Sequence, residues 1–143
     1  MTTDQKGAIA ELAIALAALR LGVDVYRPIA EGGQCDFIFE FEGRLWRVQC
    51  KWAPRKGGVV LVRCHSCRRR ARGLLKRAYD PGEVDAFAAY CLELDRCYFL
   101  PYSLFESRTQ VVLRLGATQN NQVVGVNWAS QFEFGATLGR QGP

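Results

Sequence analysis

Residues 32–53 read GGQCDFIFEFEGRLWRVQCKWA, and this stretch decides how the rest of the chain is arranged. Apolar and polar residues alternate on both sides of Glu42-Gly43, which is typical of a β-hairpin with a short turn. A slip of one residue would carry the aromatic side chains to the solvent face, so the pattern itself selects the register. With a two-residue loop, the predicted pairs are Phe41 with Arg44, Phe39 with Trp46, Phe37 with Val48, and Asp36 with Gln49.

The predicted register gathers the side chains of Asp36, Gln49 and Lys51 on one side of the sheet, because residues two apart on a strand share a face. The carboxylate of Asp36 is a hard oxygen ligand for Mg²⁺, and the amide oxygen of Gln49 is a neutral second ligand. Lys51 is suited to orient an attacking water or to offset charge during phosphodiester hydrolysis. An ordinary polar hairpin face uses the same residue types. The opposite side is apolar and carries Phe37, Phe39, Phe41, Trp46, Val48 and Cys50.

Asp36, the short turn and Gln49-x-Lys51 resemble the D…(D/E)xK signature of the PD-(D/E)xK nuclease superfamily, with Gln in place of the second acid. The segment VQCKWA at residues 48–53 is similar to the variant in small PD-(D/E)xK endonucleases, including an intron-encoded homing endonuclease of cyanobacterial type. The resemblance runs from residue 6 to about residue 134. Two departures are Cys35, where Pro is usual, and Gln49, whose neutral side chain leaves the number of bound ions open.

The resemblance implies an α/β fold with a restriction-endonuclease-like core, in which an N-terminal helix packs on a mixed β-sheet of about five strands. It implies a Mg²⁺-dependent endonuclease, using that or another hard divalent cation, which hydrolyses double-stranded DNA at a long, specific target and leaves a 5′ phosphate. Related nucleases take a Glu from the N-terminal helix, and Glu11 lies at the matching place; a surface Glu with a local helix contact is the alternative. The implied catalytic residues are Glu11, Asp36, Gln49 and Lys51, with Asp36, Gln49 and Glu11 as metal ligands.

The length of 143 residues predicts one domain over residues 1–143. No apolar run approaches the roughly 20 residues that span a bilayer, and the apolar stretch at residues 8–21 lacks the pattern of a signal peptide. We therefore expect an intracellular, cytoplasmic protein with no membrane partner and with its six cysteines reduced.

Charge is segregated along the chain. Residues 43–79 contain 12 of the 19 Lys and Arg residues and no Asp or Glu, while the remainder carries seven basic and 14 acidic residues. Such segregation is typical of a polyanion-binding surface, although a solvated basic face is the alternative. The predicted DNA-binding residues are Arg55, Lys56, Arg63, Arg68, Arg69, Arg70, Arg72, Lys76 and Arg77. We expect residues 63–77 to be too dense in charge to pack internally and to be mobile until DNA binds.

Cys64-x-x-Cys67, with His65 between, raises the question of zinc. A structural zinc site needs four ligands, usually from two such pairs, and Cys91 and Cys97 have the wrong spacing for a second pair. Zinc is therefore not expected.

The remaining pattern predicts a helix over residues 3–21, in which Ile9, Leu12, Leu16 and Leu19 face the core. A second stripe of Ala8, Glu11, Ala15 and Ala18 would allow close approach to the sheet. Strands are predicted at residues 23–29, 59–63, 97–101 and 110–115. The apolar run at residues 84–92 is compatible with a helix or a strand, and the resemblance favours a strand there. Asp85 is a candidate structural acid.

Three other functions compete with a homing endonuclease. They are a structure-selective nuclease that acts on junctions or in repair, an inactive DNA-binding module of the same fold, and a zinc-stabilised RNA-binding protein. Because each chain offers one candidate site, cutting both strands of a duplex requires a homo-oligomer, either a dimer or a tetramer.

Overall fold

The structure is a computed structural model that describes residues 1–70, 73–78, 82–116 and 125–139. Helix α1 (Thr3–Arg20) begins with a capping box: the Thr2 side chain accepts the N–H of Gln5 (3.1 Å), and the Gln5 side chain accepts the N–H of Thr2 (2.8 Å). The chain leaves the helix at Gly22, whose φ of 83° favours glycine. The predicted helix is thus confirmed. No helix in the described part of the chain is long and apolar enough to cross a membrane.

The face of α1 that packs on the sheet consists mainly of small residues, and this corrects the predicted core stripe. Leu12, Leu16 and Leu19 are 67%, 49% and 56% exposed, so their side chains do not face the core. Of the predicted stripe, Ile9 does pack against the core. Small side chains let the helix backbone approach the sheet closely, which excludes the bulkier leucines from the contact. The buried positions are Ala10, Ile14 and Ala18.

The quoted stretch forms the predicted hairpin from β2 (Phe37–Phe41) and β3 (Arg44–Trp52). Glu42 and Gly43 have φ values of 53° and 73°, the left-handed conformation that a two-residue turn uses to match the twist of its strands. The observed register is the predicted one, and its pairs include Phe37 with Val48, Phe39 with Trp46, and Phe41 with Arg44.

This hairpin belongs to a five-stranded sheet that also contains β1 (Asp24–Tyr26), β8 (Ala86–Cys91) and β9 (Arg96–Pro101). The strand order of the sheet is β1-β2-β3-β8-β9. Strands β3 and β8 run parallel, and the other neighbours run antiparallel, so the mixed five-stranded sheet is confirmed. Helix α1 and the short helix α2 (Phe134–Thr137) cover one face, where Phe134 meets the rings of Phe39 and Phe99 at centroid distances of 6.2 and 6.3 Å.

A second, three-stranded sheet covers the other face. Its order is β10-β5-β4, formed by Gln110–Arg114, Val59–Arg63 and Arg55–Lys56. Buried side chains from both sheets make one cluster between them, including Val62, Phe87 and Leu113. The strands predicted at residues 59–63 and 110–115 are therefore present, but in a sheet separate from the hairpin.

The arginine-rich segment, for which we expect no internal packing until DNA binds, has regular backbone structure in its described residues. Its backbone forms β6 (His65–Arg70) and β7 (Gly73–Ala78), which pair antiparallel from His65 with Ala78 to Arg70 with Gly73. Arg72, a predicted DNA contact, lies outside the described residues, as do the side chains of the other predicted contacts on these two strands.

Asp85 is a structural acid, as predicted. Its Oδ2 accepts the backbone N–H of Arg47 (2.8 Å) and the Nε–H of Arg47 (3.0 Å), while its own N–H donates to the Arg47 carbonyl (2.8 Å). Burial alone would raise the pKa of Asp85, but the hydrogen bonds from the side chain and backbone of Arg47 outweigh it and lower that pKa below its usual value. This contact joins β3 to the start of β8.

Candidate active site

An open cleft of about 430 Å³ lies between α1 and the loop that joins β1 to β2. Glu11 lines it from the helix, and residues 27–33, Cys35 and Asp36 line it from the loop. The cleft thus lies at the point where the chain enters the central hairpin. Its charged lining residues are Glu11, Arg27, Glu31 and Asp36.

Asp36 is fixed against β3 by two backbone contacts. Its N–H donates to the carbonyl of Val48 (2.9 Å), and its Oδ2 accepts the N–H of Cys50 (2.8 Å). Burial raises the pKa of the carboxyl group, although the Cys50 hydrogen bond and the charges of Lys51 and Arg27 pull that pKa down. A partly desolvated carboxylate of this kind gains free energy when a cation binds beside it.

Glu11 is half-buried in the same cleft. Burial makes the largest contribution to raising the pKa of Glu11, and the nearby charge of Asp36 raises that pKa further. The charge of Arg27 lowers it. Because the charge of Asp36 raises the pKa of Glu11, the two carboxylates are within electrostatic reach of one another. The structure therefore places Glu11 and Asp36 in the lining of the same cleft.

Lys51 and Gln49 lie on β3, beyond the lining of the cleft. The positive charge of Lys51 lowers the pKa of Asp36, so these two groups are also within electrostatic reach. Alternation along β3 places Gln49 on the same face as Lys51, and Gln49 pairs with Phe87 on β8. The structure thus places Glu11 and Asp36 in one cleft and Lys51 within electrostatic reach of Asp36, whereas Gln49 shares the face of Lys51 outside the cleft lining.

The donor set of the cleft fits a hard divalent cation. Mg²⁺ usually keeps several waters and takes only one or two protein carboxylates, which Glu11 and Asp36 can supply. Within the described ranges, no group of three or more His, Cys, Asp or Glu residues is placed to hold a metal. Cys64, from the Cys-x-x-Cys pair, is buried, and burial raises the pKa of its thiol to about 11.

Two lining residues, Arg27 and Glu31, were missed at the level of sequence. Arg27 directly follows the edge strand β1, and Glu31 precedes Gly32 and Gly33 in the connecting loop. Neither position belongs to a motif or to a periodic pattern. The tertiary structure reveals them, since it places both residues in the lining of the cleft together with Asp36.

Of the predicted DNA-binding residues, Arg55, Lys56 and Arg63 have described side chains and do not line the cleft. Arg55 and Lys56 are exposed on β4, and Arg63 is exposed at the end of β5. The small sheet therefore presents at least three cations to solvent, and β6 continues the chain directly from its strand β5. The remaining predicted contacts within strands are Arg68, Arg69 and Arg70 on β6, and Lys76 and Arg77 on β7.

Comparison with known proteins identifies the family to which this chain belongs. The chain is similar to a solved structure, the bacterial homing endonuclease I-Ssp6803I, with 26% sequence identity and a TM-score of 0.77 over 96% of this chain and 93% of that one. No curated protein matches the sequence significantly. A family model described as PD-(D/E)XK endonuclease matches residues 1–135, which confirms the resemblance to that family. Because that match spans nearly the whole chain, the protein belongs to the PD-(D/E)XK endonuclease family.

Proposed function

We propose that this protein is a Mg²⁺-dependent endonuclease that hydrolyses phosphodiester bonds in double-stranded DNA at a specific site, as a homing endonuclease does. The observation that carries the proposal is the cleft, in which Glu11 and Asp36 lie together and Lys51 is within electrostatic reach of Asp36. Membership of the PD-(D/E)XK family and the similarity to a bacterial homing endonuclease support it. DNA as the substrate implies an intracellular site of action.

Each residue of the proposed site has a separate task. Glu11 and Asp36 would hold the cation, with the amide oxygen of Gln49 as a neutral further ligand. A bound Mg²⁺ supplies Lewis-acid stabilisation of the phosphoryl group and lowers the pKa of a bound water. The Lys51 ammonium group, with three N–H donors, orients the attacking water and offsets the negative charge that develops on the phosphate oxygens.

DNA binding is proposed for the cationic strands. Arg55, Lys56 and Arg63 are exposed on the small sheet, where they can contact phosphate oxygens, and β6 and β7 carry the other predicted contacts. Phosphate contacts give an affinity that falls steeply with salt and contains little sequence information.

The direct test is incubation of supercoiled plasmid with the protein and Mg²⁺. We expect cutting in Mg²⁺ and none in EDTA. The variant Lys51→Ala should cut about 10²-fold more slowly, because one stabilising donor in an active site contributes a factor of roughly 10²–10³. Lys6→Ala, a change at an exposed lysine on α1 outside the cleft, is the matched control and should cut like the wild type.

The second candidate function is an inactive DNA-binding module. Gln49 supports it, because this neutral residue replaces an acid that usually binds the metal. DNA retained in a binding assay, with no Mg²⁺-dependent cutting by the wild type, would favour that module over the nuclease. If the protein cuts, competition between branched and linear duplex DNA decides between a structure-selective nuclease and a site-specific one.

Cutting both strands needs at least two clefts, so we propose a homo-oligomer of at least two chains. The outward leucines of α1 provide an uncharged apolar surface, and such a surface can pair with its own copy without opposing like charges. We expect Leu12→Gln combined with Leu16→Gln to reduce the mass measured by analytical ultracentrifugation to 16.0 kDa, that of one chain. Leu104→Gln, at a leucine that is 60% exposed outside α1, is the control. An unchanged mass for the α1 variant would show that this surface does not form the interface between chains.

A further inference from the structure

We propose that Arg27 contacts the phosphate group of the substrate inside the cleft and is a further catalytic residue of the enzyme. This inference rests on the proposed nuclease function and adds to it a residue that no motif indicated. Arg27 lines the cleft together with Glu11, Glu31 and Asp36, and it is the one cation in that described lining.

The backbone and an aromatic ring hold Arg27 next to Asp36. Tyr26, the last residue of β1, pairs with Ile38 on β2, so Arg27 leaves the sheet beside the start of the hairpin. Its guanidinium carbon lies 5.8 Å from the centroid of the Phe37 ring. Phe37 is buried and directly follows Asp36, so the cation–π contact anchors the guanidinium close to the proposed metal ligand.

Arg27 keeps its hydrogen-bonding capacity for a ligand. The residue is exposed, and none of the ion pairs within 4.0 Å among residues 1–64, 82–116 and 125–139 includes it. Contact with an aromatic face uses none of the five N–H donors of a guanidinium group. Those donors remain available to an oxyanion that enters the cleft.

The charge of the cleft lining indicates that this oxyanion is the phosphate group of a phosphodiester. Three carboxylates face one guanidinium, so a phosphodiester entering the cleft meets a negative lining until cations offset it. A divalent ion held by Glu11 and Asp36 offsets part of this charge, and Gln49 adds none. Arginine presents a rigid fork that matches two phosphate oxygens, and its charge stabilises the negative charge that develops during phosphoryl transfer.

The test combines plasmid cleavage in Mg²⁺ with isothermal titration of Ca²⁺ into the metal-free protein. For Arg27→Ala we expect kcat to fall about 10²-fold or more while KM stays within about threefold, because the contact strengthens in the transition state. Its Ca²⁺ affinity should be equal to or tighter than that of the wild type, since a positive charge beside Glu11 and Asp36 has been removed. Arg27→Lys, which keeps the charge without the fork, should recover only part of kcat. Arg20→Ala removes an exposed arginine at the end of α1 and should match the wild type.

Three different results would each contradict a catalytic role for Arg27. An Arg27→Ala enzyme within threefold of the wild type in kcat would remove Arg27 from the reaction and leave the nuclease function intact. Parallel loss of Ca²⁺ affinity and kcat, restored by excess Mg²⁺, would make it a positioning residue for the carboxylates. A wild-type protein that binds Ca²⁺ but cuts no DNA would refute the nuclease function, and the catalytic role of Arg27 with it.

Discussion

The Asp36→Asn protein should lose at least about 10³-fold in Mg²⁺-dependent cleavage without losing stability, because the carboxylate charge holds the cation on which the reaction depends. The amide of Asn has nearly the same shape as the carboxylate, and its oxygen can still accept the N–H of Cys50, which lies 2.8 Å from Oδ2. The loss of activity can therefore be attributed to the charge and not to a broken backbone contact.

The stability of Asp36→Asn follows from the raised pKa of Asp36. A carboxyl group whose pKa is raised on folding adds stability below its ordinary value of 3.8, and this stability is lost as the pH rises through the folded-state pKa. Asn is neutral throughout and avoids that loss. In EDTA at neutral pH we therefore expect a Tm equal to or higher than that of the wild type.

Addition of Ca²⁺ should distinguish the wild type from the Asp36→Asn protein by their melting temperatures. Ca²⁺ should raise the Tm of the wild type, because a ligand that binds only the folded state stabilises it, and it should leave the Tm of Asp36→Asn nearly unchanged. Asp24→Asn, at an exposed acid on β1 outside the cleft lining, should behave like the wild type in both assays. An Asp36→Asn enzyme that still cuts DNA at a rate within tenfold of the wild type would exclude Asp36 as an essential metal ligand.

The Asp85→Ala protein should lose about 2 kcal/mol in free energy of unfolding at pH 7, measured by urea denaturation. Hydrogen bonds to a charged group contribute roughly 1.5–3 kcal/mol, and the partial exposure of Arg47 reduces its share. The Asp85 side chain is only 18% exposed and accepts both the backbone and side-chain N–H groups of Arg47. Its removal also leaves a backbone N–H at the junction of β3 and β8 without its acceptor.

The pH dependence of this effect has a defined sign. The folded-state pKa of Asp85 lies below its ordinary value of 3.8, so the stability it adds is present above that value and is lost as the pH falls through the folded-state pKa. The difference between the wild type and Asp85→Ala should therefore shrink on acidification. A difference that stays constant from pH 7 to pH 2.5 would show that ionisation of Asp85 does not carry the effect. Asp95→Ala, at an acid in the turn between β8 and β9, tests whether loss of any acid near β8 has the same result.

The register of the hairpin and the extent of α1 were predictable because both depend on residues close in sequence. Alternation with a period of two determines which side of β3 each residue occupies, and Glu42-Gly43 sets the loop length. The capping residues Thr2 and Gln5 and the terminal Gly22 define the helix in the same local way. The same alternation is sufficient to place Gln49 and Lys51 on one face of β3.

The face of α1 that enters the core was not predictable from hydrophobicity. Leucines and alanines both recur at helical spacing, and either stripe satisfies the periodic pattern. The choice depends on how closely the helix axis approaches the sheet, which is a property of the packed pair and not of the helix. Ala10 and Ala18 fit that short separation, and Leu12 and Leu16 remain outside.

Sequence alone determined the strand pairing around Asp36 and the set of candidate catalytic groups, since local pattern and residue chemistry decide both. The tertiary structure decided which of those groups meet. Glu11 and Arg27 are separated from Asp36 by turns and strands, and their approach depends on the packing of α1 and of the loop after β1 against the hairpin. Electrostatic coupling depends on distance in space, and distance along the chain does not set it.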